Sequence, residues 1–180
     1  PVVVSTSCEV PKGSGLGASS TIVVSMVKAY SELLGLTLDD YELARLAVYI
    51  ERERCGFKGG LQDQYAASFG GVNFFEFNGG QDVLVNPLRV KSWIINELEA
   101  SILLYFTGIS RESANIISDQ SKSMNLGREK TLESMHNLKN QAYEMKKCLL
   151  QGDFKELVKF INSSWEDKKC FYLPFRILGN

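Results

Sequence analysis

The segment that most limits what this chain can fold into is PKGSGLGASS, Pro11 to Ser20, where three glycines separate a β-branched run from an apolar stretch of helical character. Before it, Pro1 to Val10 sets polar Ser5, Ser7 and Glu9 in alternation with Thr6, Cys8 and Val10, the pattern of a strand. After it, Gly17 to Leu34 is apolar on most faces, so a buried helix is expected, ended by Gly35 in the left-handed cap position. Strand, glycine turn and helix in that order aim free backbone N–H groups and the positive end of a helix dipole at one point, where an anion can sit. Gly13, Gly15 and Gly17 permit close backbone approach, the Ser19 and Ser20 hydroxyls can reach phosphate oxygens or a magnesium ion, and Lys12 adds a positive charge. A glycine cluster is also what a plain turn looks like, so the loop alone leaves both readings open.

Two familiar loops can be tested against these residues. A Walker loop needs Gly-Lys-Ser/Thr at the helix start, and here Gly17 is followed by Ala18. Gly13, Gly15 and Ala18 do fit the dinucleotide pattern, with Glu32 near the distance of a ribose-binding acid. In that fold the acid closes a second strand, whereas TLDDYELARLAVYIE has helical periodicity. Thr37 and Asp40 resemble a capping pair that opens this second helix, which should run to about Arg54 with Tyr41, Ala44, Ala47 and Ile50 along one face.

The second informative feature is a pair of acids. Glu51 lies near the end of the second expected helix and Asp63 follows the glycine-containing loop from Cys55 to Gln62, so a bend there can bring both carboxylates to one place. Two acids beside a phosphate loop fit kinase chemistry: one carboxylate holds magnesium on nucleotide phosphates and the other accepts the proton of an attacking hydroxyl. Taken singly, acids near helix ends also serve as caps or simply face water.

Further along, Asp63 to Phe69 should form a short helix closed by Gly70 and Gly71, and Val72 to Phe77 and Asp82 to Val85 should form a hairpin around Asn78, Gly79, Gly80 and Gln81. Another strand is expected at Ser101 to Phe106. Beyond it, Leu132, Met135, Leu138, Ala142, Met145 and Leu149 recur at helical steps up to Gly152. Asp153 with Glu156 can cap a further helix bearing Phe154, Leu157, Val158, Ile161 and Trp165 inward. A boundary is therefore expected near residue 100, between a first domain of residues 1–100 and a second of residues 101–180.

Composition removes other classes of function. Lys and Arg number 20 against 21 Asp and Glu, a net charge of −1, so no basic excess exists to bind a nucleic-acid backbone. The apolar runs, such as Ile102 to Phe106, are too short to cross a bilayer. The four cysteines (Cys8, Cys55, Cys148, Cys170) show no CxxC spacing and no charged-then-apolar leader opens the chain, so free thiols in a reducing, cytoplasmic compartment are expected. His136 lacks a partner in its helix and is read as structural, as Trp93 and Trp165 are read as packing residues.

The loop and the acids together resemble the GHMP kinases, small-molecule kinases named for galactose, homoserine, mevalonate and phosphomevalonate. Pro11, Gly15, Leu16, Gly17 and Ser19 match the family's phosphate loop, with Ala18 replacing its first serine. The segments Gly59 to Phe77 and Leu103 to Gln120 carry a closer likeness to the branch acting on D-glycero-D-manno-heptose 7-phosphate. The resemblance implies an α+β fold, with a part like domain 2 of ribosomal protein S5 followed by a mainly helical, partial ferredoxin-like part. It also implies ATP and Mg2+ as cofactors, a small-molecule sugar or sugar phosphate as the partner, and transfer of a phosphoryl group to a sugar hydroxyl. By position, Pro11, Lys12, Gly13, Ser14, Gly15, Leu16, Gly17, Ala18, Ser19 and Ser20 would bind the nucleotide phosphates, Ser19 and Glu51 would hold magnesium, and Asp63 would be the base. Arg111 would contact substrate phosphate or the reacting centre, and Gly60, Gln62, Asp63 and Gln64 would meet the sugar, the two amides by hydrogen bonds to hydroxyls. The family's first and last motifs would fall before Pro1 and after residue 180, and the tail after Trp165 departs from the family pattern, so a truncated, inactive chain is the competing expectation, and a kinase of fucose or galactose another.

Overall fold

In the computed structural model, residues 2–11, 13–80, 82–106 and 129–169 are described. The elements are helix α1 (Ala18–Leu33), helix α2 (Asp40–Tyr49), a π-helical turn (Ile50–Arg54), helix α3 (Gln62–Phe69), strands β1 (Asn73–Phe77) and β2 (Val83–Pro87), helix α4 (Ser92–Ser101), and helices α5 (Glu129–Gln151) and α6 (Phe154–Lys169). The chain divides into two compact units. Among the described residues, one holds residues 2–84 with Tyr105 and Phe106, and the other holds residues 85–104 and 129–169. The class is α+β, as expected, and no helix among the described residues is long and apolar enough to cross a membrane.

In the first unit, α1 starts at Gly17 and ends as its sequence dictates: Gly35 takes φ +66°, its N–H bonds to the Glu32 carbonyl at 3.2 Å, and Leu36 N–H bonds back to Ser31 at 2.8 Å. The start of α2 differs from the sequence expectation. Asp39, and not Thr37 with Asp40, forms the capping box: its carboxylate accepts from Glu42 N–H at 2.8 Å while Glu42 accepts from Asp39 N–H at 3.0 Å. The reason is spacing, because only Asp39 stands three residues before a glutamate. Helices α1 and α2 bury Val24, Val27, Leu43 and Ala47 against one another, with Val23, Leu38, Ile50 and Ala67 packed at the margin. Tyr41, Tyr65, Phe69 and Phe77 extend this core as edge-to-face and stacked rings.

Two strands expected from sequence do not form. Residues 2–8 carry no strand and Val3 is 93% exposed; likewise Ile102 to Phe106 carry none, with Leu103 at 91%. Alternating side chains create a strand only where a neighbour takes up the backbone N–H and C=O groups, and the one sheet among the described residues pairs β1 with β2 alone. Helix α4, in contrast, forms where no element was anticipated, burying Ile94.

In the second unit, α5 and α6 pack together and Asp153 caps α6 as expected, accepting from Glu156 N–H at 3.1 Å. The inward face foreseen for α6 is narrower than expected: Leu157 is buried and Phe154 half-buried, while Val158, Ile161 and Trp165 are exposed at 54%, 50% and 41%. One facing helix covers only a narrow stripe, so residues a turn away on the flank stay in water. Trp93 is itself half-exposed, with its ring edge close to Gly152.

Candidate active site

The glycine loop folds tightly because three of its residues adopt conformations that L side chains rarely take: Gly13, Gly15 and Gly17 have φ of +74°, +80° and +71°. Ser14 N–H closes the turn on the Pro11 carbonyl at 3.1 Å. Gly17 is the residue before α1 and offers no side chain to cap it, so the first N–H groups of that helix have no capping side chain. A cleft of about 710 Å³ lies here, lined by Pro11, Gly13, Ser14, Gly15, Gly17, Ala18, Ser19 and, from the start of α3, Asp63. Asp63 is so close that a Cβ at position 17 would stand 3.3 Å from its Cγ. The Ser14 hydroxyl is buried with no hydrogen-bond partner among the described residues.

Behind the loop the second acid is enclosed. Glu51 is 3% exposed, and three donors converge on its Oε2: the Ser20 hydroxyl at 3.1 Å, the Arg52 guanidinium at 3.1 Å, and the Gln64 amide. The Gln64 amide also donates to Ser20 Oγ at 3.1 Å. These contacts tie α1, the π turn and α3 into one polar network inside the first unit, in which Gln64 Oε1 and Arg52 Nε are buried with no hydrogen-bond partner among the described residues. Adjacent positions on a helix point about 100° apart, and α3 uses that angle: Asp63 faces the cleft while Gln64, fully buried, faces Glu51.

Residues 1–71 match the GHMP kinases N terminal domain family. The chain is similar to the GHMP kinases, and the match lies in their N-terminal domain. It is 52% identical over 164 residues to the D-glycero-alpha-D-manno-heptose 7-phosphate kinase of Campylobacter jejuni, covering 91% of this chain and 48% of that protein. It is 30% identical over 163 residues to an L-fucokinase/L-fucose-1-P guanylyltransferase of Bacteroides fragilis, covering 89% of this chain and 17% of that one. Among solved structures, a D-glycero-D-manno-heptose 1-phosphate kinase from Bacteroides thetaiotaomicron superimposes with a TM-score of 0.73 at 45% identity, covering 89% of this chain and 46% of that chain. The chain thus spans about half the length of these heptose kinases.

Set against the GHMP kinase resemblance of the sequence, the structure brings the glycine loop and Asp63 to one cleft and Glu51 directly behind it. Ser19 lines the cleft, whereas the hydroxyl bonded to Glu51 is that of Ser20. Leu16 is half-exposed and contributes to an apolar groove of about 670 Å³ on the flank of α1 as well. Gly60 offers its carbonyl to Arg52 at 2.7 Å, and Gln62 is exposed at the start of α3, whereas Gln64, expected from sequence to meet the sugar, is fully buried with its amide on Ser20 and Glu51. Lys12 and Arg111 lie outside the described residues. Sequence reasoning missed Arg52, whose guanidinium reaches Glu51 and two carbonyls of the following loop. The charged pair Glu51-Arg52 is visible in the sequence, but nothing there reveals the π turn that lets neighbours face the same way.

Proposed function

We propose that the chain carries the phosphate-binding and acid–base residues of an ATP-dependent sugar kinase, with D-glycero-D-manno-heptose 7-phosphate as acceptor. The observation that carries this reading is the meeting of Asp63 with Gly17 across the mouth of the phosphate-loop cleft, so that one carboxylate stands where a phosphate and an attacking hydroxyl would come together. The 52% identity with a heptose 7-phosphate kinase supports the acceptor.

The residues fit both implied groups. The unpartnered Ser14 hydroxyl and the uncapped start of α1 offer donors to phosphate oxygens, and a glycine at 17 keeps free the space a Cβ would fill. Carboxylate and hydroxyl oxygens suit magnesium, which takes one or two protein carboxylates and completes its shell with water and phosphate. When bound, ATP supplies the phosphoryl group and magnesium neutralises its oxygens. Glu51 and Ser19 would hold the ion; because Ser20, Gln64 and Arg52 all meet Glu51 through Oε2, a cation would be met by Oε1. Asp63 would accept the proton of the acceptor hydroxyl, and Gln62 and Gly60 beside it would contact the sugar. Exposed free thiols at Cys8 and Cys55 support a reducing, cytoplasmic setting.

The test is ADP release by the purified chain with magnesium-ATP and, in turn, heptose 7-phosphate, fucose, galactose and mevalonate. Turnover with the heptose phosphate is expected; turnover with another sugar alone would move the acceptor assignment, and silence with all four would count against the reading as a whole.

A further inference from the structure

We propose that Arg52 is a positioning residue, whose single guanidinium sets the placement of both site carboxylates; this rests on the roles proposed above for Glu51 and Asp63. Arg52 sits in the π turn, where Cys55 N–H bonds to Ile50 carbonyl at 2.9 Å and Phe57 N–H to Glu51 carbonyl at 2.8 Å, so the chain leaves the helix at an angle that α-helical spacing would not give. From there its guanidinium reaches three acceptors: Glu51 Oε2 at 3.1 Å, the Phe57 carbonyl at 3.3 Å and the Gly60 carbonyl at 2.7 Å. One end of this fork fixes the buried carboxylate. The other fixes the loop three residues before Asp63.

That second grip matters because α3 begins without a capping side chain. Leu61 precedes it and no side chain caps it, so its first turn, and with it Asp63, is held from one side by the buried Gln64 and from the other by what holds Gly60. Arginine is the residue able to do this, since its planar fork presents several donors in fixed directions while a lysine ammonium is a point charge on a flexible stem. The loop is built around the fork in turn. A Cβ at Gly59 would stand 2.5 Å from one terminal nitrogen of Arg52 and 2.7 Å from its Cζ, and Gly59 is not among the glycines with positive φ, so an alanine there would displace the guanidinium without straining the backbone.

Two variants therefore attack the same contact from opposite sides: Arg52→Lys removes the fork, and Gly59→Ala pushes it away. In the full chain each should lower kcat roughly 10- to 100-fold, the cost of a reacting group displaced by about an ångström. The KM values for ATP and for the sugar phosphate should stay within about threefold, since the phosphate loop is untouched. Amide exchange at Leu61 to Gln64 should quicken about tenfold or more in both, with exchange in α5 and α6 unchanged, a readout that needs no turnover. Because both act through one contact, the double variant should be no worse than the weaker-working single by more than about twofold. Wild-type kcat and exchange in Arg52→Lys, or losses that simply add in the double variant, would overturn the proposal. Asp63→Asn separates the two levels: if it is inactive while Arg52→Lys and Gly59→Ala keep full kcat, only the positioning role falls, and if it keeps turnover the base assignment falls and the positioning role with it.

Discussion

In the first unit, Ser20, Glu51, Arg52 and Gln64 meet inside the protein, whereas α5 and α6 in the second unit carry polar contacts largely at the surface. Gln141 bridges the two helices by donating to Ser163 at 2.9 Å and to Asp167 at 2.8 Å, and the pairs Lys147–Glu144, Lys159–Glu156 and Lys169–Glu166 lie along exposed faces at 2.5 to 2.6 Å. Enclosed groups depend on each other because water cannot replace a lost partner; exposed pairs are screened, and solvent takes over when one member goes. The same kind of side chain thus specifies geometry in one unit and decorates a hydrophobic seam in the other. A site that must hold two carboxylates in place belongs in the first setting.

The comparison is broken most directly at Glu51. Glu51→Ala leaves the Arg52 charge and the Ser20 and Gln64 donors without their acceptor, and should cost about 3–5 kcal/mol in urea unfolding, the penalty for stripping one member from a buried ion pair. A loss below about 1 kcal/mol would place this network with the surface pairs. In the second unit the sensitive point should be packing instead. Gly152 has φ +75° and a Cβ there would stand 2.7 Å from the Trp93 ring and 3.2 Å from Ile94, so Gly152→Ala should destabilise by about 1–3 kcal/mol, read by the same unfolding curve. The smallest effect belongs to Lys159→Ala. Its hydrogen bond to Glu156, and then the Glu156 charge, raise the Lys159 pKa above the usual lysine value. A raised pKa means a contribution fully present below the ordinary value and lost as pH rises through the shifted one. At pH 7 it is fully present, yet the side chain is so exposed that Tm should not change measurably; a clear drop would show the surface pairs to be structural.

Local chemistry was the legible part of the sequence. The glycine loop, the ends of α1 and the Asp153 cap follow from residues within a few positions of one another, and they stand where the sequence puts them. Asp63 and Glu51 were legible as acids beside that loop, and their proximity to it came from the bend at the glycines after Cys55. The two strands that did not form failed for the opposite reason: alternation in Pro1 to Val10 describes a surface ready to pair, and pairing is decided elsewhere in the chain. Arg52 was hidden because a single π turn shifts the helical phase, so no periodicity places it beside Gly60. Ser19 and Ser20, adjacent and alike in sequence, are separated only by the helix angle, which turns one to the cleft and the other to Glu51.

In the function proposed above, Asp63 performs the chemistry at a cleft whose phosphate binding belongs to the loop. Turnover and magnesium-ADP affinity measured side by side on the wild-type chain and Asp63→Asn test it. Turnover with heptose 7-phosphate should fall by about a thousandfold or more while ADP affinity stays within about threefold. Turnover retained in Asp63→Asn, or turnover and ADP binding lost together, would contradict it.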